Sequence, residues 1–231
     1  MARYNEVSLS RKKELEEPDE VTENLRKVFA FILKYRVRIG IGVCVFFLLI
    51  LGAATVQYFS HLSENKASSI LDKGITKYNA MHNDKTPTEI CDLIESDFKI
   101  IITQYPRTVA GKFAMLQLAN VYYSADKYND AIALYEKAIE SFEGSVLFEN
   151  LIQMGLGLCH EAKGEHKKAI AYFEKVISDP DRLMLDQALF HAGRIYRKMG
   201  EEGKRVDAYK KIVSDFNNSL YSDIAKEYIS G

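Results

Sequence analysis

Cysteine and histidine are the side chains whose chemistry could bind a metal or attack a carbonyl, and their spacing supports neither use. The chain has three cysteines and five histidines. His160 and His166 stand near Cys159, but they lack the paired-ligand spacing of a zinc site. No serine or cysteine can be matched by spacing with a base and a group to orient it. Gly155-Leu156-Gly157 has the first glycines of a phosphate loop, yet no strand precedes it and the rest of either fingerprint is missing, so it reads as a helix crossing. The expectation is no catalytic residue, no cofactor and no metal. Cys91 and Cys159 fall at apolar helix positions, where a free thiol acts as a small hydrophobe; they are expected unpaired.

Charge excludes a further class. The 31 Lys/Arg nearly cancel the 32 Asp/Glu, and they are interspersed; a nucleic-acid binder would need a basic face. Residues 1–38 carry nine Lys/Arg and seven Asp/Glu, and 61–231 carry 22 and 25, whereas the 22 residues from Ile39 to Ser60 carry none. Eleven of the eighteen residues 39–56 are Val, Ile, Leu or Phe. At about 1.5 Å per residue, roughly 20 such residues span a hydrocarbon core, so 39–60 is expected to be a transmembrane helix in contact with lipid. Two rivals are a signal peptide cut after Gly52-Ala53-Ala54, set against an n-region of 38 residues with seven acids, and a lipoprotein processed at Cys44.

Arg26, Lys27, Lys34, Arg36 and Arg38 precede the span and only Lys66 and Lys73 follow closely, which places 1–38 in the cytoplasm and 61–231 outside it. Before the span, Pro18 suits a first helical position and Val21, Leu25, Val28, Phe29 and Ile32 recur at helical spacing. That segment reads as a helix on the inner leaflet, a docking surface, or a plain extension of the membrane helix.

From Glu64 onward the elements are helical, and no alternating strand pattern appears. Thr86-Pro87-Thr88-Glu89 marks a helix start. Helix pairs at 112–143, 150–181 and 186–217 share one pattern. A small residue in the first helix (Ala119, Gly157, Gly193) is followed three later by Tyr122, His160 or Tyr196, and the second helix offers Tyr135, Phe173 and Tyr209. The small residue of the second helix is Ala131, then Ala169, but Arg205 in the third pair. A small residue lets two backbones approach closely, with an aromatic filling the space beside it. One pair cannot bury its apolar face, but stacked pairs can. Residues 67–106 form a degenerate first pair with Ile94, Phe98 and Ile101 in its second helix and an enlarged loop at 79–88, and 102–108 recurs loosely as 213–219.

These residues resemble the tetratricopeptide repeats: Ala119-x-x-Tyr122, then Tyr128-x-x-Ala131-x-x-x-Tyr135-x-x-Ala138, and in the next unit Gly157, Gly164 and Ala169-x-x-x-Phe173. The fold expected is an all-α solenoid of helical hairpins preceded by one transmembrane helix. The repeat geometry implies a concave face lined by Phe113, Leu116, Asn120 and Tyr123, then Leu151, Met154, Leu158 and Glu161, then Gln187, Phe190, Arg194 and Arg197. Apolar toward one end and cationic toward the other, it suits a peptide or amphipathic helix carrying an acid; alternatively its apolar members pack against one another or against residues 64–82.

The layout of charged tail, single membrane helix and small repeat domain is similar to the bacterial ancillary SecYEG translocon subunit (YfgM-type) family. That resemblance implies a non-enzymatic interaction module in the bacterial inner membrane, with its repeats in the periplasm beside the export channel and periplasmic chaperones as partners. The alternative is an accessory subunit of another inner-membrane or envelope complex. Neither reading involves nucleic acid or a small-molecule substrate.

Overall fold

Residues 20–181 and 183–230 are described by the computed structural model, and among them are nine helices and no strand. They are α1 (Glu20–Met81), α2 (Pro87–Gln104), α3 (Val109–Ser124), α4 (Tyr128–Ser141), α5 (Val146–Ala162), α6 (His166–Ile177), α7 (Leu185–Met199), α8 (Glu202–Asp215) and α9 (Ser222–Ser230). The chain divides into two compact units, one up to Phe59 and one from Ser60 onward. The reading of Pro18 as a helix start lies outside the described residues.

In the first unit α1 is long and apolar enough to cross a membrane, by length and composition. Its large apolar side chains, Phe46 through Leu51 among them, are exposed. In the second unit the remainder of α1 pairs with α2, and three hairpins follow: α3–α4, α5–α6 and α7–α8. Each hairpin packs on the next. The connection from α1 to α2 comprises residues 82–86, shorter than the enlarged loop expected at 79–88, because the helical pattern of α1 continues to Met81 and Thr86 caps α2. The Thr86 side chain accepts from the Glu89 backbone and the Glu89 carboxylate accepts from Thr86 N, a reciprocal capping box with Pro87 just inside.

The two helices of a hairpin meet where the glycines stand. A Cβ on Gly157 would lie 2.4 Å from the Phe173 ring, on Gly193 2.6 Å from Tyr209, and on Gly74 3.0 Å from Phe98. These rings are fully or nearly fully buried, so backbone proximity and aromatic filling arise from the same contact. The α3–α4 hairpin varies this scheme. Ala119 stands at the glycine position, and Tyr135 instead lies against Gly155 of the following hairpin, 2.5 Å from where its Cβ would be.

The turn inside each hairpin is also repeated. Asp126, Gly164 and Gly200 adopt φ of 60°, 72° and 74°. The next backbone N–H, of Lys127, Glu165 and Glu201, donates back to the carbonyl of Tyr122, His160 and Tyr196 at 2.8, 2.9 and 2.9 Å. This left-handed stop satisfies carbonyls that a helix end would otherwise leave open. The side chains of those three carbonyl residues diverge. Tyr122 donates to Glu95 of α2 and Tyr196 to Glu174 of α6, each clasping the preceding hairpin. His160 is too short for this; it pairs with Glu165 at 2.8 Å and stacks on Tyr172.

The loose recurrence of 102–108 at 213–219 is a shared backbone shape. Tyr105 and Phe216 end α2 and α8 with nearly the same dihedrals, and each N–H bonds four residues back, to Ile101 and Ile212. The next helix is α3 in one case and α9 in the other, so α9 takes the place of a further hairpin's first helix. Arg205, the departure from the small-residue pattern, is buried, with its guanidinium donating to the Glu202 carboxylate and the Tyr228 carbonyl of α9.

Candidate concave interface

Three first helices, α3, α5 and α7, carry the twelve residues expected to line the concave face, and the structure sorts them into three groups. Leu116, Met154 and Phe190 are buried. Met154 packs within the α6–α7 core beside Ala169 and Phe173. Phe190 is covered by α9 and the turn before it, stacked on Tyr221 at 4.7 Å and near Tyr228 at 6.2 Å. All three pack inside the solenoid, Met154 and Phe190 against residues outside the expected lining. Phe113 is half-buried in an aromatic trio with Phe142 and Phe148, at centroid distances of 5.7 and 5.3 Å.

The second group is half-exposed or exposed: Asn120, Tyr123, Leu151, Leu158, Gln187 and Arg197. Asn120 is held in place because its side-chain oxygen accepts from the Tyr135 hydroxyl at 2.5 Å. Arg197 lies over the Tyr228 ring at 5.4 Å.

Glu161 and Arg194 form the third group. The Glu161 carboxylate is nearly buried, with its side chain 8% exposed, and it faces α7: Arg194 at 3.2 Å, Lys198 at 3.4 Å and the His191 ring at 3.5 Å. Burial pushes the Glu161 carboxyl up, but the neighbouring His191 ring and the charges of Arg194 and Lys198 outweigh it and hold the carboxyl below its ordinary value. Burial raises the Tyr123 hydroxyl of α3, Cys159 and Glu161 raise it further, and Arg194 opposes them. Residues from α5 and α7 therefore converge on one charged centre.

Two members of that centre, His191 and Lys198, were missed from the sequence. Their signal is the spacing of 191, 194 and 198, which places three basic side chains on one face of α7; reading it required knowing that Glu161 stood opposite. One carboxylate against two permanent cations leaves a surplus of positive charge, and Arg194 and Lys198 are 40% and 43% exposed. Such a site can accept an anionic group from outside while half-exposed Leu158, one turn before Glu161, offers apolar surface beside it.

Other clusters are structural in their geometry. The ligand atoms of Cys91, Asp92 and Glu95 lie within 4.8 Å of one another. The Lys127 ammonium is 3.0 Å from Asp92 and 3.6 Å from Glu95, so a cation already stands among them. Burial pushes the Cys91 thiol up, and it pushes Cys159 up to about 12. Both thiols are free and buried, the state in which cysteine packs and does not react.

Comparison with known proteins agrees with this geometry. Tetratricopeptide-repeat family profiles match residues 116–182 and 186–214. Among curated proteins, the chain is 31% identical over 111 residues to a Petunia hybrida protein described as a probable UDP-N-acetylglucosamine–peptide N-acetylglucosaminyltransferase, SPINDLY; the match covers 48% of this chain and 11% of that protein. It is 30% identical over 87 residues to an Arabidopsis thaliana CTR9 homolog, covering 37% of this chain and 7% of that protein. The matches thus span about a tenth of those relatives. Residues 116–182 and 186–214 thus match tetratricopeptide-repeat models, and such repeats serve protein–protein interaction.

Proposed function

We propose that this chain is a membrane-anchored adaptor whose concave face, at Tyr123, Leu158, Glu161, Arg194 and Arg197, holds an acidic, partly apolar segment of another protein. The observation that carries this reading is the cationic surplus around Glu161, displayed between half-exposed apolar side chains of α3 and α5. Residues 39–60 anchor the chain in a bilayer, with 1–38 in the cytoplasm and 61–231 outside it. The unbroken exposure of apolar side chains along that part of α1 supports the anchor, and the excess of Lys/Arg before it supports the orientation.

The partner complex in this proposal is the bacterial protein-export translocon, with the repeats meeting emerging chains or periplasmic chaperones. Support comes from the order of parts: charged tail, single apolar helix, short repeat solenoid. Purification of the full chain in mild detergent tests it. Translocon subunits should co-purify with the unaltered chain, and Arg194→Glu combined with Arg197→Glu should release the soluble partner while leaving the membrane subunits bound. Recovery of a different membrane complex would reject the translocon assignment. Retention of every partner by the double variant would reject the concave site.

A further inference from the structure

Residues 22–38, the part of α1 that precedes the apolar stretch, are exposed apart from half-exposed Tyr35, and they carry a narrow strip of charge on a helix whose Phe31, Leu33 and Val37 widen its apolar side. Leu25, Val28, Phe29 and Ile32 recur three and four apart, and each is between 45% and 64% exposed. Glu23, Lys27, Lys34 and Arg38 gather on the opposite side of the helix, by the same spacing rule. Next to them an aromatic anchor is built from neighbours on the helix. Tyr35 packs on Phe31 at 4.8 Å, and Lys34 and Arg38 stand over its ring at 5.5 and 5.8 Å. Arg36 interrupts the apolar side; its long stem can lie along apolar surface while the guanidinium reaches the headgroups.

An exposed apolar side of this length is not stable against water, and this one has cations on its reverse. A helix with Phe, Leu and Ile on one side, Lys and Arg on the other and a tyrosine at its edge has the composition of one that lies in a membrane interface. The sign of the charge selects the surface. Five Lys/Arg against one acid over 22–38 is attracted to anionic headgroups and repelled by a cationic protein face. Gly40 and Gly42 follow within α1, and glycine weakens helical preference, so a bend costs least there.

We infer that residues 22–38 form an interfacial helix that binds the anionic lipid headgroups of the leaflet from which the apolar stretch enters. This inference rests on the reading of 39–60 as a membrane anchor. It gives the chain a second membrane contact, which responds to lipid composition and turns at Gly40–Gly42.

The chain contains no tryptophan, so a single introduced indole reports one position. Three full-length variants, Phe29→Trp, Glu23→Trp and Leu49→Trp, would be reconstituted in vesicles with brominated acyl chains. The vesicles would be phosphatidylcholine alone or with about 30 mol % phosphatidylglycerol, enough to set up an anionic surface. Leu49→Trp should be quenched in both. Phe29→Trp should be quenched roughly twofold more in the anionic vesicles than Glu23→Trp, and that excess should fall by about half when Lys27→Gln and Lys34→Gln are added. Quenching at Leu49→Trp with none at Phe29→Trp would overturn this inference and leave the anchor standing. No quenching at Leu49→Trp would overturn both. Phe29→Trp emission that follows protein density and not lipid charge would overturn the inference in favour of a second copy covering this face.

Discussion

Two parts of the molecule both carry many large apolar side chains and differ in what covers them. From Ile39 to Phe59 the large apolar side chains of α1 are exposed, whereas from Ser60 onward the apolar residues of the hairpins fill three buried clusters. The difference is one of periodicity. Charges recur among the apolar residues of the hairpins, so each helix has a side for its neighbour and a side for water. Residues 39–60 carry no charge, and the helix is apolar all round. Among the described residues, burial by the chain's own packing is thus confined to the part from Ser60 onward, and the apolar stretch before it is long and apolar enough to cross a membrane.

The sharpest way to break this comparison exchanges equivalent residues in the two regions. Phe173 is fully buried and Phe47 exposed. Phe173→Ala should lower the unfolding free energy of the repeats by about 3–5 kcal/mol, while Phe47→Ala should leave it unchanged, both followed by denaturant unfolding in detergent micelles. A smaller effect separates the glycines. Gly157→Ala forces a Cβ to within 2.4 Å of the Phe173 ring, whereas Gly52 has nothing within 4 Å. The first should destabilise by about 1–3 kcal/mol through overpacking, and Gly52→Ala should not register in the same measurement.

The third contrast lies within the repeats. The Tyr135 hydroxyl is bonded to Asn120, but the Tyr209 hydroxyl is buried with no partner among the described residues. Tyr135→Phe should cost about 0.5–1.5 kcal/mol, and Tyr209→Phe should be neutral or stabilising, because it removes a polar group that burial penalises. The smallest effect is one of pH. Glu161 is held below its ordinary value of 4.5, so its contribution to stability is present above that value and is lost as pH falls below it through the depressed one. Between pH 7 and pH 3 the unaltered chain should therefore lose more stability than Glu161→Gln. Parallel losses would show that the Glu161 cluster does not couple to folding.

The hairpins were legible because their determinants are local and repeated. The glycine, the aromatic sixteen residues later and the left-handed turn between them recur in register, and Thr86 with Glu89 announces a helix start by itself. What the sequence hid depends on distant partners. The Glu64 carboxylate accepts from the backbone N–H groups of Val109 and Ala110 at 2.7 and 2.9 Å, tying α1 to the start of α3; a glutamate in a long helix gives no hint of that role. Phe190 reads as an exposed groove residue until α9 is seen to fold over it. His191 and Lys198 acquire their meaning only from Glu161, on another helix. Repeat register thus named the helices expected to carry a concave face, while the charged cluster depends on Glu161 standing opposite α7.

The claim that this face receives a partner is tested most directly by photocrosslinking in cells from a probe at Leu158, on the half-exposed floor beside Glu161, compared with one at Lys210 on the exposed side of α8. The account predicts a discrete crosslinked protein from Leu158, lost when Arg194→Glu and Arg197→Glu are added, and none from Lys210. Equal crosslinking from both positions, or a Leu158 product that survives the charge reversal, would contradict it.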